Sequence, residues 1–168
     1  MKNSDKLPYN FFLIKGNDSV YGFVTDNDFD YQVKFKDTSY LFDGYIDNQI
    51  FAYEMAIQVA HNPTQQKPPL DSRIPVTIVA IFYDFIGRNN EQVVIYICDS
   101  SDDKQAIRHR KFTQWFESFK GNDFVKINAP ITDNRTVVYY TSLIIHRHNP
   151  KRQEITEAFI NLTDDQQK

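Results

Sequence analysis

The residues most able to do chemistry lie close together between Ile97 and Phe112. A strand-like segment ends there, and Asp99, Asp102 and Asp103 follow before a helix is predicted to begin. Carboxylates are the ligands that hard divalent cations prefer, so these three side chains could gather a metal ion. However, the segment has no glycine of the kind that shapes calcium loops. Capping of the helix, with acidic residues at the positive end of its dipole, is the simpler interpretation.

Arg108 falls on the apolar stripe of that predicted helix, four residues before Phe112. An arginine that is buried there must be paired, because an unpaired buried charge is very costly. Asp99 is the expected partner, and Asp84 is the second choice. The alternative interpretation is that Arg108 and Arg110 hold the phosphate or carboxylate of an anionic ligand.

The histidines and the single cysteine are weaker candidates. His109 stands between two basic residues and is predicted to be a solvated surface residue, or else an acid–base group. His146 and His148 share a strand face at i and i+2 and could ligate zinc, but no third ligand is near them in sequence. Cys98 lies in an apolar strand, which favours inert burial over reactivity.

Several motifs with a known chemistry are missing from the chain. It contains no Gly-x-Gly-x-x-Gly, no Walker loop, no Gly-x-Ser-x-Gly and no His-Glu-x-x-His. We therefore expect no cofactor and no metal site, and the balance of the sequence is against an enzyme. If catalysis does occur, its weak candidates are Asp99, Asp102, Asp103, Arg108, His109 and Arg110.

Composition limits the class of protein. At 168 residues with 41% apolar content, the chain is long enough for one folded domain and is not disordered. One cysteine permits no internal disulfide, and the charged start MKNSDK is unlike a signal peptide, so we expect a cytoplasmic protein without a membrane segment. The net charge of −3 disfavours nucleic acid as the partner. Two basic clusters, Arg108 to Lys111 and His146 to Arg152, leave that partner open.

The first part of the chain is acidic, rich in aromatic residues and β-like. Residues 1–72 carry 6 Lys and Arg against 10 Asp and Glu. From Phe29 to Phe35, apolar and polar residues alternate, which predicts a strand with one buried face. Residues 50–60 also alternate, so we predict a strand, although their Ala, Glu, Met and Gln would suit a helix.

A proline-rich loop at 61–71 separates this part from a mixed second part. After the loop, a helix at 72–86 is favoured by an apolar stripe, with a β-branched strand as the alternative. A buried strand at 93–98, a helix ending at Gly121, strands at 124–127 and 136–145 around a turn at Asp133 and Asn134, and a last helix complete the expected order. The prediction is one α+β domain over residues 1–168: a mainly antiparallel sheet that starts as a β-meander, with two to three helices packed on one side.

Three short motifs carry a resemblance to a known family. They are Asp-Ser-Arg-Ile with a following Thr-Ile-x-x-Ile spacing (Asp71 to Ile81), Ile-Tyr-Ile-Cys-Asp-Ser-Ser-Asp at 95–102, and Arg-x-x-x-Phe-x-x-Trp-Phe at 108–116. On these motifs the chain resembles small proteins of Bacteroidetes-type bacteria that form a domain family of unknown function. The resemblance implies no activity, and it carries no catalytic residue onto this chain.

Three functional hypotheses follow. The first is a small non-enzymatic module that binds another protein, in an accessory, defence or antitoxin-like role. The second is an enzyme or ligand binder for an anionic, phosphate-bearing substrate around Asp99, Asp102, Asp103, Arg108 and Arg110. The third is a nucleic-acid-binding accessory protein.

Overall fold

Nine strands and three α-helices make up the secondary structure of a computed structural model that describes residues 6–16, 19–98, 104–119, 121–132 and 138–165. The strands are β1 Phe11–Leu13, β2 Val20–Val24, β3 Asp30–Asp37, β4 Phe51–His61, β5 Gln92–Ile97, β6 Phe124–Asn128, β7 Ile131–Thr132, β8 Val138–Tyr139 and β9 Thr141–His146. The helices are α1 Arg73–Ile86, α2 Gln105–Phe119 and α3 Arg152–Asp165, and a short 3₁₀ helix covers Ser39–Phe42.

Seven of the strands form one sheet in the order β1-β2-β3-β4-β5-β9-β6, and β7 pairs with β8 separately. The pairs β1–β2, β2–β3, β5–β9 and β6–β9 are antiparallel, whereas β4 and β5 are parallel. The predicted class, α+β with a mainly antiparallel sheet and an N-terminal meander, is confirmed. Among the described residues, no helix combines the length and the apolar character needed to cross a bilayer.

The chain divides into two compact units, Met1–Phe35 with Ala56–Arg88, and Lys36–Met55 with Asn89–Lys168. The first unit contains the meander and α1. Tyr31, Val33 and Phe35 of β3 are buried, as the alternation predicts. The ring of Phe35 stacks on that of Phe85 from α1, with 3.8 Å between the ring centres.

Residues 73–86 are helical, which resolves the alternative between helix and strand. The stripe Ile78, Ile81, Phe82 and Phe85 is buried on one side of α1. Fourteen residues with a 3.6-residue period are too long for a typical buried strand, so the helical period outweighs the β-branched composition. Phe51–His61 form the strand β4, so the alternating pattern of this segment outweighs its helix-favouring composition, as predicted.

In the second unit, helices cover both faces of the strands. Val93 and Ile95 of β5 pack with Ile155 and Phe159 of α3. The neighbouring residue Tyr96 stacks on Phe112 of α2, at 3.9 Å between ring centres. Because successive side chains of a strand point to opposite faces, α2 and α3 lie on opposite sides. The expectation that the helices share one side is therefore wrong for this unit.

The strand expected at 136–145 is two strands. β8 ends at Tyr139 and pairs with β7, and β9 begins at Thr141 and pairs with β5 and β6. An apolar run indicates that a segment is buried, but it does not indicate where the segment changes from one neighbouring strand to another. The sequence therefore did not reveal the break between β8 and β9. The turn expected at Asp133 and Asn134 lies outside the described residues, and the single domain over 1–168 stays a prediction.

Candidate functional site

The predicted site residues are only partly within the described structure. Asp99, Asp102 and Asp103 lie outside it, so their capping and metal-binding interpretations stay predictions, as does the pair of Arg108 with Asp99. Arg108 is half-buried on α2 and Arg110 is exposed.

Asp84, the second expected partner of Arg108, has other contacts. It accepts hydrogen bonds from the Tyr21 hydroxyl at 2.6 Å and from Arg88 at 3.3 Å.

His109 is half-buried and is not the solvated surface residue that the sequence predicts. Its ring stacks on Tyr140 with 5.0 Å between the ring centres. Within the described part of the chain, its Nδ1 atom is buried and has no hydrogen-bond partner. Burial, helped by the nearby Lys126 charge, lowers the pKa of this imidazole, so the ring is neutral at pH 7.

Lys126 is a residue that sequence reasoning missed. It lies on β6 opposite Ile144 of β9, and its Nζ atom donates to Thr113 Oγ1 of α2 at 3.0 Å and to Asn128 Oδ1. Burial lowers the pKa of its amine to about 8, although Cys98 and Glu117 oppose the shift. In the sequence, a single lysine in an apolar strand looks like a residue on the solvent-exposed face of a sheet. Only the position of α2 in the structure shows that Lys126 is covered.

Cys98 and Tyr96 complete this group of titratable side chains. Cys98 is fully buried, as its strand setting predicts, and burial raises the pKa of its thiol, with a hydrogen bond from the Tyr96 hydroxyl acting in the opposite direction. Burial also raises the pKa of Tyr96. Both groups are therefore protonated at neutral pH, which argues against a thiolate nucleophile.

We call this group the α2-face cluster: Tyr96, Cys98, Arg108, His109 and Lys126. Arg108 and Lys126 both act electrostatically on Cys98, so the cluster is cationic at pH 7. Perturbed pKa values gathered in one place are typical of functional sites. The cluster offers positive charge, one neutral imidazole and an amine that deprotonates more easily than usual.

The two histidines proposed as weak zinc ligands do not share a strand face. β9 ends at His146, and His148 lies in the turn that follows. The Nδ1 atom of His146 accepts the backbone N–H of His148 at 3.1 Å, so that nitrogen is already used. Within the described ranges, no three His, Cys, Asp or Glu side chains come together as a metal site.

The second basic cluster is held by backbone carbonyl groups. Arg147 donates to the carbonyl of Asn122 at 2.8 Å, and Lys151 donates to that of Gln49 at 2.7 Å. Arg152 donates to the carbonyl of Arg147 at 3.1 Å. These contacts fix the three side chains locally.

A concave surface lies in the second unit, and we call it the acidic hollow. Residues between Asp37 and Ile50 line an open space of about 480 Å³. Phe42, Ile46 and Ile50 form part of its apolar lining.

The rim of the acidic hollow carries charge and one aromatic ring. Asp37, Asp43 and Asp47 are exposed, and the Tyr40 side chain is 60% exposed. In the part of the chain that the structure describes, none of these carboxylates forms an ion pair with a basic side chain. The acidic character of residues 1–72 was the only sequence signal for this surface.

Comparison with known protein families gives a match. A family model described as "Family of unknown function (DUF6169)" matches residues 70–161, which is more than half of the chain. The matched range includes the α2-face cluster and excludes the acidic hollow. Neither the curated proteins nor the solved structures contain a match to the chain.

Proposed function

This chain belongs to the Family of unknown function (DUF6169), which supplies no activity, and we propose from its own surface that it is a non-enzymatic module that binds another protein. The observation that carries the proposal is the acidic hollow. Its volume of about 480 Å³ is within the usual range of binding cavities.

The charges of the acidic hollow define the chemistry of its partner. Asp37, Asp43 and Asp47 favour positive charge, and the exposed ring of Tyr40 can stack against a guanidinium group. The apolar lining suits an aliphatic side chain. A protein segment that carries arginine or lysine beside a leucine-like residue meets these requirements.

An open shape favours a protein partner over a small cation. Sites for small molecules bury most of the ligand surface, whereas a segment of a larger protein also gains contacts outside the cavity. The acidic hollow is open to solvent. A polyamine is therefore the competing occupant that an experiment must exclude.

We place this function in the cytoplasm of Bacteroidetes-type bacteria. A single cysteine suits a reducing compartment, and the resemblance of the sequence motifs points to that group of bacteria. A small binding module of this kind suits an accessory role of the defence or antitoxin kind.

Peptide binding tests the proposal. A labelled peptide with alternating arginine and leucine should bind the protein, and its glutamate counterpart should not. The double variant Asp43→Asn/Asp47→Asn should weaken binding about fivefold to tenfold, because each exposed ion pair contributes up to ~1 kcal/mol. Higher salt should weaken the wild-type interaction.

A matched control separates the acidic hollow from net charge. Asp28→Asn/Asp123→Asn removes two exposed carboxylates that do not line the acidic hollow and should leave binding unchanged. Equal losses in both double variants would contradict the proposal. Tighter binding of spermidine than of the peptide would indicate that the occupant of the acidic hollow is a polyamine and not a protein.

The α2-face cluster supports a second candidate, binding of an anionic, phosphate-bearing ligand. The observation behind it is that the charges of Arg108 and Lys126 both lower the pKa of the Cys98 thiol, within residues 70–161 that the family model matches. Inorganic phosphate would then shift backbone amide resonances of α2 and β6.

A further inference from the structure

We propose that the acidic hollow of one chain receives a basic, apolar patch of a second copy of the same chain. This inference rests on the proposed function, because it names the protein that occupies the acidic hollow. The patch lies in the first unit, and we call it the Leu70 patch: Lys6, Leu7, Lys67 and Leu70. It offers the two features that the acidic hollow requires, which are positive charge and exposed aliphatic side chains.

Hydrogen bonds bring the two segments of the Leu70 patch together. The Nζ atom of Lys6 donates to the hydroxyl of Ser72. The Nε atom of Arg73 donates to the carbonyl of Leu7 at 3.1 Å, so residues 6 and 7 lie beside the segment that follows Leu70. Leu7 is 79% exposed and Leu70 is 97% exposed, and both lysines of the patch are exposed as well. Two exposed leucines beside two cations therefore form one surface.

The chain before Leu70 is held in an extended conformation. Lys67 and Pro68 each precede a proline, which keeps them out of the helical region, and the proline rings fix their own φ angles. Both prolines line a narrow crevice together with Phe29 and Tyr31, which anchors the loop to the first unit. A loop that is already ordered loses little conformational entropy when it binds.

The acidic hollow is complementary to this segment in shape and charge. Extended proline-rich segments dock on aromatic side chains that line a groove, and the Tyr40 ring on the rim is 60% exposed. The carboxylates of the rim favour the charge of Lys67. The apolar lining of the acidic hollow suits the side chain of Leu70.

The distribution of charge between the two units favours the same contact. The chain has 19 Lys and Arg and 22 Asp and Glu, of which the first unit holds 7 and 7 and the second unit holds 12 and 15. The whole net charge of −3 therefore belongs to the second unit. Two copies repel each other less when the first unit of one meets the second unit of the other than when two second units meet.

The Leu70 patch and the acidic hollow are different surfaces, so the contact is heterologous. Each copy gives its patch to one neighbour and its hollow to another, which builds a ring or an open chain of copies. The surface that a single loop buries is small, and interfaces of that size are weak. We expect a dissociation constant of about 100 µM.

Sedimentation velocity of the full chain tests this inference. Between about 10 and 500 µM, the weight-average mass of the wild type should rise at least about twofold. The patch variant Lys67→Glu/Leu70→Ser and the hollow variant Asp43→Asn/Asp47→Asn should both stay at the mass of one chain, 19.8 kDa. High salt should also reduce the mass of the wild type, because it screens the charges of the contact.

A matched control and a mixture make the result decisive. Ile107→Ser/Lys111→Glu changes an exposed isoleucine and an exposed lysine of α2 outside both surfaces, and it should associate like the wild type. The patch variant keeps an intact hollow and the hollow variant keeps an intact patch. An equimolar mixture of the two should therefore associate again and stop at two chains, since neither copy can extend the assembly.

A wild type that keeps the mass of one chain at about 500 µM would overturn the inference. So would association that both double variants retain, or a mixture that stays monomeric. Because the Leu70 side chain is exposed, the patch variant should melt at the temperature of the wild type.

The arginine–leucine peptide separates this inference from the proposed function. The patch variant should bind the peptide through its intact acidic hollow. Peptide binding by a wild type that never associates would overturn the self-contact alone and leave the proposed function in place. Absence of both peptide binding and association would contradict both.

Discussion

Lys126 shows how one side chain acquires its properties from residues distant in sequence. It lies in β6, its hydroxyl partner Thr113 belongs to α2, and the Phe112 ring covers it from the same helix. The helical spacing that placed Arg108 on the apolar stripe is local and was visible in the sequence. The contact of β6 with α2 is long-range, and no periodic pattern encodes it.

The lowered pKa of Lys126 gives stability a definite dependence on pH. The folded chain releases this proton near pH 8, whereas the unfolded chain holds it to about 10.5, so the unfolded state binds more protons between these values. Stability contributed by Lys126 therefore rises as pH increases from 7 to 10. We expect a gain of about 1 kcal/mol, after discounting the shift for solvent screening.

Urea unfolding of the wild type and of Lys126→Met at pH 7 and pH 10 measures this gain. Cys98 and Tyr96 have raised pKa values and act in the opposite direction in both proteins. Loss of the Lys126 charge raises the pKa of the Cys98 thiol further, which adds to the difference between the wild type and the variant. The variant should lack the gain of about 1 kcal/mol. Equal pH dependence in the two proteins would show that the lysine is not perturbed.

At the scale of elements, the motif at the start of α1 is explained by structure. The Asp71 carboxylate accepts the backbone N–H of Arg73 at 2.8 Å and the hydroxyl of Tyr9 at 2.6 Å. Arg73 forms an ion pair with Asp26 at 2.9 Å and stacks on the Tyr9 ring, 3.8 Å from its centre. The motif therefore ties the segment before β1 to the helix.

Removing the Asp71 carboxylate should destabilise the fold. Asp71→Ala leaves a helix N–H and the Tyr9 hydroxyl without their acceptor, and we expect a loss of about 1–2 kcal/mol in the free energy of unfolding. The adjacent Ser72→Ala is the control, because the Ser72 side chain makes no capping hydrogen bond, and its cost should stay within ~0.5 kcal/mol. Denaturant unfolding of both variants measures the two losses in the free energy of unfolding. Equal losses would contradict the capping of α1 by Asp71.

The success of sequence prediction differed between elements for physical reasons. β3 and α1 each bury one face, so their periods of two and 3.6 residues appear directly in the sequence. The break at Tyr140 and the placement of α2 and α3 on opposite faces are decided by tertiary packing. Local patterns carry no information about either.

At the scale of the whole molecule, the excess negative charge lies in the first part of the chain. The net charge of −3 comes mainly from residues 1–72, which hold four more acidic than basic residues. Three of those carboxylates are on the rim of the acidic hollow. The sequence therefore indicated an acidic first part, but only folding brought Asp37, Asp43 and Asp47 around one open space.

The most direct test of the protein-interaction function is a map of backbone amide shifts in the ¹⁵N-labelled protein during titration with the arginine–leucine peptide. We predict saturable shifts at residues 37–50, and their loss in Asp43→Asn/Asp47→Asn. Saturable shifts confined to α2 and β6, or no saturable shift anywhere, would contradict the account.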